Sequence, residues 1–151
     1  LTALLQCRSG AGMFRIAAAF ETTSEPLGEL GLCHARLQDD ARFPWIVLIP
    51  RVQGVREIED LAPEDRRRLL DEAIAAGAAV RAVGEALGRP VEKLNMGQLG
   101  NVTPQLHVHV VGRRMDDPAW PGPVWGSGEA RRYRPAELAM ALVAGQKALG
   151  V

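Results

Sequence analysis

Gln105-Leu106-His107-Val108-His109-Val110-Val111 places two of the chain's three histidines two residues apart in an otherwise apolar run. Strand periodicity sends Gln105, His107, His109 and Val111 to one face and Leu106, Val108 and Val110 to the other, giving a chemical side and a core side. Pro104, which has no N–H, suits the first position of a strand, and Gly112 with Arg113 and Arg114 supplies a solvated exit. A neutral imidazole nitrogen can attack phosphorus, ligate a metal or simply exchange hydrogen bonds. Spacing alone leaves metal binding, catalysis and a structural polar pair open. His34 has no motif around it and reads as an ordinary polar residue at a strand edge.

Directly before this strand, Gly97-Gln98-Leu99-Gly100-Asn101 is a loop whose glycines let backbone N–H groups converge on an anion. A short strand over 91–96 leads into it. Further upstream, Ala62-Pro63-Glu64-Asp65 opens a helix to about Leu87, with proline at its first position and acids in its first turn. Leu70, Ile74, Gly77, Val80, Gly84 and Leu87 recur at spacings of three and four and predict a stripe that covers the sheet. Gly77 and Gly84 on that stripe favour close approach, at a propensity cost of about 1 kcal/mol each. Gly88 and Pro90 end the helix.

Phe43-Pro44-Trp45-Ile46-Val47-Leu48-Ile49-Pro50 predicts a largely buried strand, and 30–37 a weaker one joined to it as a hairpin across Gln38-Asp39-Asp40. Residues 13–20 are apolar and suit a short helix or an edge strand, 21–25 are polar and Pro26 interrupts, so the stretch reads as a peripheral arm. The segment 115–128 is a rigid loop of prolines, glycines and tryptophans; Trp120 and Trp125 either cover a ligand or pack on the body or across a dimer. Pro135 opens a last helix over 136–149, with Leu138, Met140, Leu142, Val143 and Leu149 as its apolar surface.

At 151 residues the chain is long enough for one domain with its own core, expected over 13–151. Met13 follows Ser9-Gly10-Ala11-Gly12, so residues 1–12 are expected to lie upstream of the natural start. Hydrophobic content of 47% and charged content of 24% exclude disorder over most of the chain. A net charge of zero removes any global signal for nucleic acid or an anionic membrane, but permits a local phosphate site built from amides. The expected partner is a small molecule. Cys7 and Cys33 form no CxxC and are expected to be reduced; with no apolar stretch of about 18 residues, the expected location is cytoplasmic.

Asn95-x-Gly97, Gly100-Asn101 and Gln105-x-His107-x-His109-x-Val111 resemble the histidine-triad (HIT) nucleotide hydrolase and transferase superfamily. The strand 43–50 resembles its other signature segment, and the likeness runs over about 30–114. Phe43-Pro44-Trp45 and Trp120-Pro121-x-Pro123-x-Trp125 are similar to a bacterial group of such proteins, here with glutamine at the first triad position. The resemblance implies an α+β fold: an antiparallel sheet with one long helix packed on it and a C-terminal helix, commonly assembled as a homodimer. It implies cleavage of nucleoside phosphoramidates or dinucleoside polyphosphates, or nucleotidyl transfer, through a covalent nucleotidyl-histidine.

By that resemblance His107 is the nucleophile and His109 a phosphate-side or structural partner. Gln105 replaces the first triad histidine and can orient His107 or a phosphate oxygen, yet cannot supply an acidic proton. Trp45 stands at or near a position where relatives carry a further histidine. Asn95 and Gly100-Asn101-Val102 match the phosphate-contacting segment, Asp39 or Asp40 the ribose-binding acid, and Leu30, Phe43 and Ile46 are candidate base contacts. No metal or cofactor is called for, since amides can stabilise a pentavalent phosphorus and His107 and His109 lack a cysteine or carboxylate at a customary ligand spacing. The alternatives are a nucleotide-binding protein without turnover and a cupin-like metal enzyme using both histidines.

Overall fold

In the computed structural model, which describes residues 13–151, the apolar run Trp45–Pro50 becomes strand β3, and every residue in it is buried. Such a run fits a strand covered on both faces. It is flanked by β2 (Cys33–Gln38) and β5 (Val108–Arg113); β1 (Ser24–Glu29) and β4 (Lys93–Gly97) form the two edges. The order is β1-β2-β3-β5-β4, and every neighbouring pair is antiparallel. The hairpin expected between 30–37 and 43–50 is the β2–β3 pair, with Leu37 opposite Ile46. Expectations for residues 1–12, including Cys7, lie outside the described residues; Cys33 is buried and free.

Helices α2 (Pro63–Ala86) and α3 (Pro135–Leu149) cover one face of the sheet, packing against each other and against β5 and β1 respectively. Leu37, Ile46, Leu48, Leu106, Val108 and Val110 form this core with Leu69, Ala73, Ala76, Val80 and Val83 of α2. The opposite face carries a second cluster of Phe20, Phe43, Trp45, Val47, Ile49, Val111 and Val124. It is roofed by the N-terminal segment and by the tryptophan loop, through Phe14, Ile16, Ala119 and Trp125. This second face is the one to which His107 and His109 belong.

Four local expectations are corrected. The arm over 13–25 is not merely peripheral: it contains α1 (Ala18–Thr23) and runs into β1, where Pro26 is tolerated because an edge strand leaves one side without ladder partners. Gly77, Val80 and Gly84 of the expected α2 stripe are buried, but in its first turns the buried side runs through Leu69, Ala73 and Ala76, whereas Leu70 and Ile74 are 57% and 63% exposed. Adjacent Leu69 and Leu70 made two phases possible, and alanines on the Leu69 side bring helix and sheet closer. On α3 the most deeply buried positions are Ala141 and Gly145, the latter under Leu27, while Met140 and Val143 face outward. Finally, β5 begins at Val108 rather than Gln105, because the N–H of Leu106 is taken by the carbonyl of Val55 in the segment after β3.

Candidate active site

His107 sits just ahead of β5, 6% exposed, with its Nδ1 2.7 Å from the main-chain oxygen of Gln105. A carbonyl only accepts, so Nδ1 carries the hydrogen and the lone pair resides on Nε2. Burial pushes the His107 pKa below the usual imidazole range, and the Gln105 carbonyl opposes that shift. The ring is therefore neutral near pH 7, with its lone pair on Nε2.

His109, 9% exposed, has the opposite tautomer. The indole N–H of Trp45 donates to His109 Nδ1 at 3.0 Å, so the remaining hydrogen must be on Nε2. Burial, with a smaller contribution from His107, takes its pKa down to about 3. The two rings meet edge to face at 4.8 Å, and Phe20 lies against His107 at 4.8 Å. One face of the sheet thus presents a nitrogen lone pair beside an N–H donor, both neutral.

His107 opens into a cavity of about 300 Å³ whose other walls are the 99–103 loop and Trp125. Gly100, Asn101 and Val102, expected to seat phosphate, line this same cavity; Val102 is almost wholly exposed. Trp125 approaches His109 edge-on at 5.5 Å and Trp45 at 6.0 Å. Gly97, opposite His109, leaves room for that indole: a Cβ there would fall 2.9 Å from the Trp125 ring. Among the described residues, no group of three or more His, Cys, Asp and Glu side chains is arranged to hold a metal ion.

A HIT-domain family model matches residues 19–116. The chain belongs to the HIT family. Solved histidine triad proteins from Sinorhizobium meliloti and Marinobacter aquaeolei are each 39% identical to it; they cover 90% and 92% of this chain and 98% of their own, with TM-scores of 0.81 and 0.83. A histidine triad protein from Bradyrhizobium japonicum is 31% identical over 91% of this chain and 99% of its own, with a TM-score of 0.83. No curated protein matches.

Seen as a HIT chain, the molecule brings some of the expected residues together and leaves others apart. The side-chain amide of Gln105 is committed elsewhere than to His107: it donates to the carbonyl of Arg15 and accepts the N–H of Ala17. Asn95 lies opposite Val111 on the histidine face, with its oxygen taken by Arg113 at 2.6 Å. Asp39 and Asp40 are elsewhere. Asp40 is buried and bound by the Arg42 guanidinium, and Asp39 accepts the N–H of Tyr133 and pairs with Arg132. Their turn lies beyond Trp45, whose partner Val111 is already four strand residues, about 13 Å, from His107. Leu30 and Ile46 belong to the helix-side core, so the sheet itself separates them from the cavity. Phe43 is on the histidine face but buried at its far end under Arg42 and Arg113; Trp120 packs on Arg113, and only Trp125 reaches the cavity.

Three further residues shape this face. Arg113 is no solvated exit: 2% exposed, it is paired with buried Asp117 and bonded to Asn95, tying the tryptophan loop to the sheet. The i,i+4 spacing of Arg113 and Asp117 was its one signal in the sequence. Phe20, at the end of an apolar run, gave no sign of its contact with His107. Arg36, opposite Val47 and hence on the histidine face, is buried and held by Ser24, with His34 at 3.4 Å.

Proposed function

We propose that this HIT protein cleaves nucleoside phosphoramidates or dinucleoside polyphosphates, or transfers the nucleotidyl group, through a nucleotidyl-His107 intermediate. The observation that carries the reading is the hydrogen bond from His107 Nδ1 to the Gln105 carbonyl, which leaves Nε2 as the free nucleophile beside the 99–103 loop. Nε2 attacks the α-phosphorus, an N–P bond forms, and the bond to the leaving group breaks. The Nε2–H of His109 and the amides of 99–103 are suited to stabilise charge on the non-bridging oxygens. Water or another acceptor then attacks phosphorus, the N–P bond breaks to release the nucleotide and restore neutral His107, and the proton of the attacking oxygen passes to solvent, balancing the unprotonated leaving group. Neither histidine begins protonated and Gln105 has no acidic proton, so good leaving groups are preferred.

The test is intact-mass analysis after mixing with an adenosine phosphoramidate or a dinucleoside polyphosphate. A nucleotidyl adduct is expected on the unaltered chain and absent in His107→Ala. Turnover persisting in His107→Ala would sink the nucleophile assignment. A second reading, nucleotide binding without turnover, draws on the commitment of the Gln105 amide to the N-terminal segment; tight binding with neither adduct nor product would favour it.

We also infer a homodimer. β4 is an edge strand, and Ile58 and Leu70 line one apolar hollow with Met96 of that strand; these three and Ile74, one helical turn from Leu70, are 40–63% exposed, an apolar surface suited to a second copy. No helix among the described residues is long and apolar enough to cross a membrane.

A further inference from the structure

The proposed reaction gives the side chain of Gln105 nothing to do, yet both ends of its amide are occupied. Oε1 accepts the N–H of Ala17 at 2.8 Å, and Nε2 donates to the carbonyl of Arg15 at 2.9 Å. An amide that pairs with alternate main-chain groups in this way acts as one rung of a neighbouring strand, and it docks residues 15–17 beside the entrance to β5. From Ala17 the chain turns into α1, with the N–H of Phe20 on the Ala17 carbonyl at 3.0 Å. Phe20, 5% exposed, then lies against the His107 ring at 4.8 Å and an interplanar angle of 67°. The main-chain oxygen of Gln105 meanwhile holds His107 Nδ1.

Gln105 therefore grips the nucleophile twice: directly through its carbonyl, and indirectly through its amide, the docked segment and Phe20. We propose that Gln105 is a positioning residue, whose side chain docks residues 15–17 so that Phe20 limits rotation of the His107 imidazole, and which takes no part in protonating the leaving group. An imidazole at 105 would keep the main-chain carbonyl, but it cannot place a donor and an acceptor side by side as a primary amide does. Exchange of the glutamine thus loosens the docked segment without creating an acid. The kinetic half of the test rests on the nucleotidyl-histidine reading; the spectroscopic half does not.

The experiment compares the full chain with Gln105→Ala, Gln105→Glu, Phe20→Leu and the double variant Gln105→Ala/Phe20→Leu. By NMR, the Ala17 amide is expected to be protected from exchange in the unaltered chain and the His107 ring protons to be displaced by the Phe20 ring current. Gln105→Ala and Phe20→Leu should both move those ring signals, and Gln105→Glu, which keeps the acceptor for Ala17, should move them less. In single-turnover nucleotidylation, Gln105→Ala should slow adduct formation about tenfold, a scale set by misplacement of a reacting group. The loss should be equal for good and poor leaving groups, and the double variant should lose no more than the worse single one. A selective loss on poor leaving groups, additive losses, an unprotected Ala17 amide or unmoved His107 signals would each overturn the assignment. If the unaltered chain forms no adduct, the proposed reaction fails, and the amide exchange and ring signals still decide whether Gln105 positions His107.

Discussion

The indole N–H of Trp45 ends on Nδ1 of His109 at 3.0 Å, across the β3–β5 pair, and so sets which nitrogen of His109 can face a ligand. Trp45→Phe keeps an aromatic wall but removes the donor, and the proton of His109 is then free to occupy Nδ1. Nucleotidylation is expected to slow about tenfold, less than the roughly 10²–10³-fold cost of losing a transition-state donor outright, because the Nε2–H tautomer stays partly populated. Single-turnover rates measure this, and the His109 nitrogen shifts should report mixed tautomers. An unchanged rate would mean that His109 Nε2–H does not serve the transition state.

Both histidines make the fold sensitive to mild acid. In the unfolded chain each titrates near 6.5, whereas burial lowers His107 and takes His109 to about 3. Below 6.5 the unfolded chain binds protons that the fold refuses, so stability is lost as pH falls from about 6.5 towards about 3 and is level with respect to these groups above 6.5. His109 alone can contribute about 1.4 kcal/mol per pH unit in that window. Urea midpoints at pH 7, 6 and 5 should fall stepwise, and less steeply in His109→Asn. A midpoint flat from pH 7 to 5 would show that the rings accept protons in the fold.

Arg113 and Asp117 are 2% and 4% exposed, so removing one charge strands the other. Arg113→Met is expected to destabilise by about 3–5 kcal/mol, and Arg113→Met/Asp117→Asn by less, because the second change removes the orphaned carboxylate. Thermal unfolding should show the ordering. A double variant weaker than Arg113→Met would indicate that the guanidinium matters through Asn95 and Trp120 rather than through Asp117.

Gly84 and Gly77 should respond differently to alanine. A Cβ at Gly84 would fall 2.6 Å from the Arg89 carbonyl oxygen and 2.9 Å from Val91, whereas one at Gly77 meets only the end of the Leu94 side chain at 2.9 Å. Gly84→Ala should cost about 1–3 kcal/mol from overpacking. At Gly77 a small shift of Leu94 and the helix propensity of alanine, worth about 1 kcal/mol, should leave stability nearly unchanged. Chemical denaturation distinguishes them; equal losses would count against the backbone clash.

Ile74→Glu places a charge in the apolar surface beside β4. If that surface joins two copies, sedimentation should show a dimer for the unaltered chain and a monomer for the variant, with each fold retained by circular dichroism. A dimer that survives the charge would move the interface elsewhere.

Where a residue type left few physical options, the sequence was readable in advance. The run 43–50 had to be a covered strand, Pro63 and Pro135 had to open helices, and the alternation through 105–111 separated the histidine face from Leu106, Val108 and Val110. The 99–103 loop also lines the cavity with His107, as its place next to the histidine run suggested. Long-range partners were not readable. Asp39 and Asp40 looked available until Arg42, Arg132 and Tyr133 closed on them.

Local periodicity by itself determined the four strands β2 to β5 and the two long helices around His107 and His109, because side-chain alternation and proline are properties of neighbouring residues; α1 and the edge strand β1 came only with the fold. Only the tertiary structure decided which imidazole nitrogen is free. The tautomer of His109 depends on Trp45, 64 residues away, and the packing of His107 depends on Phe20 and on the contact between Gln105 and Ala17, 88 residues apart. A proton goes to whichever nitrogen has an acceptor facing it, and what faces it is settled when distant segments meet.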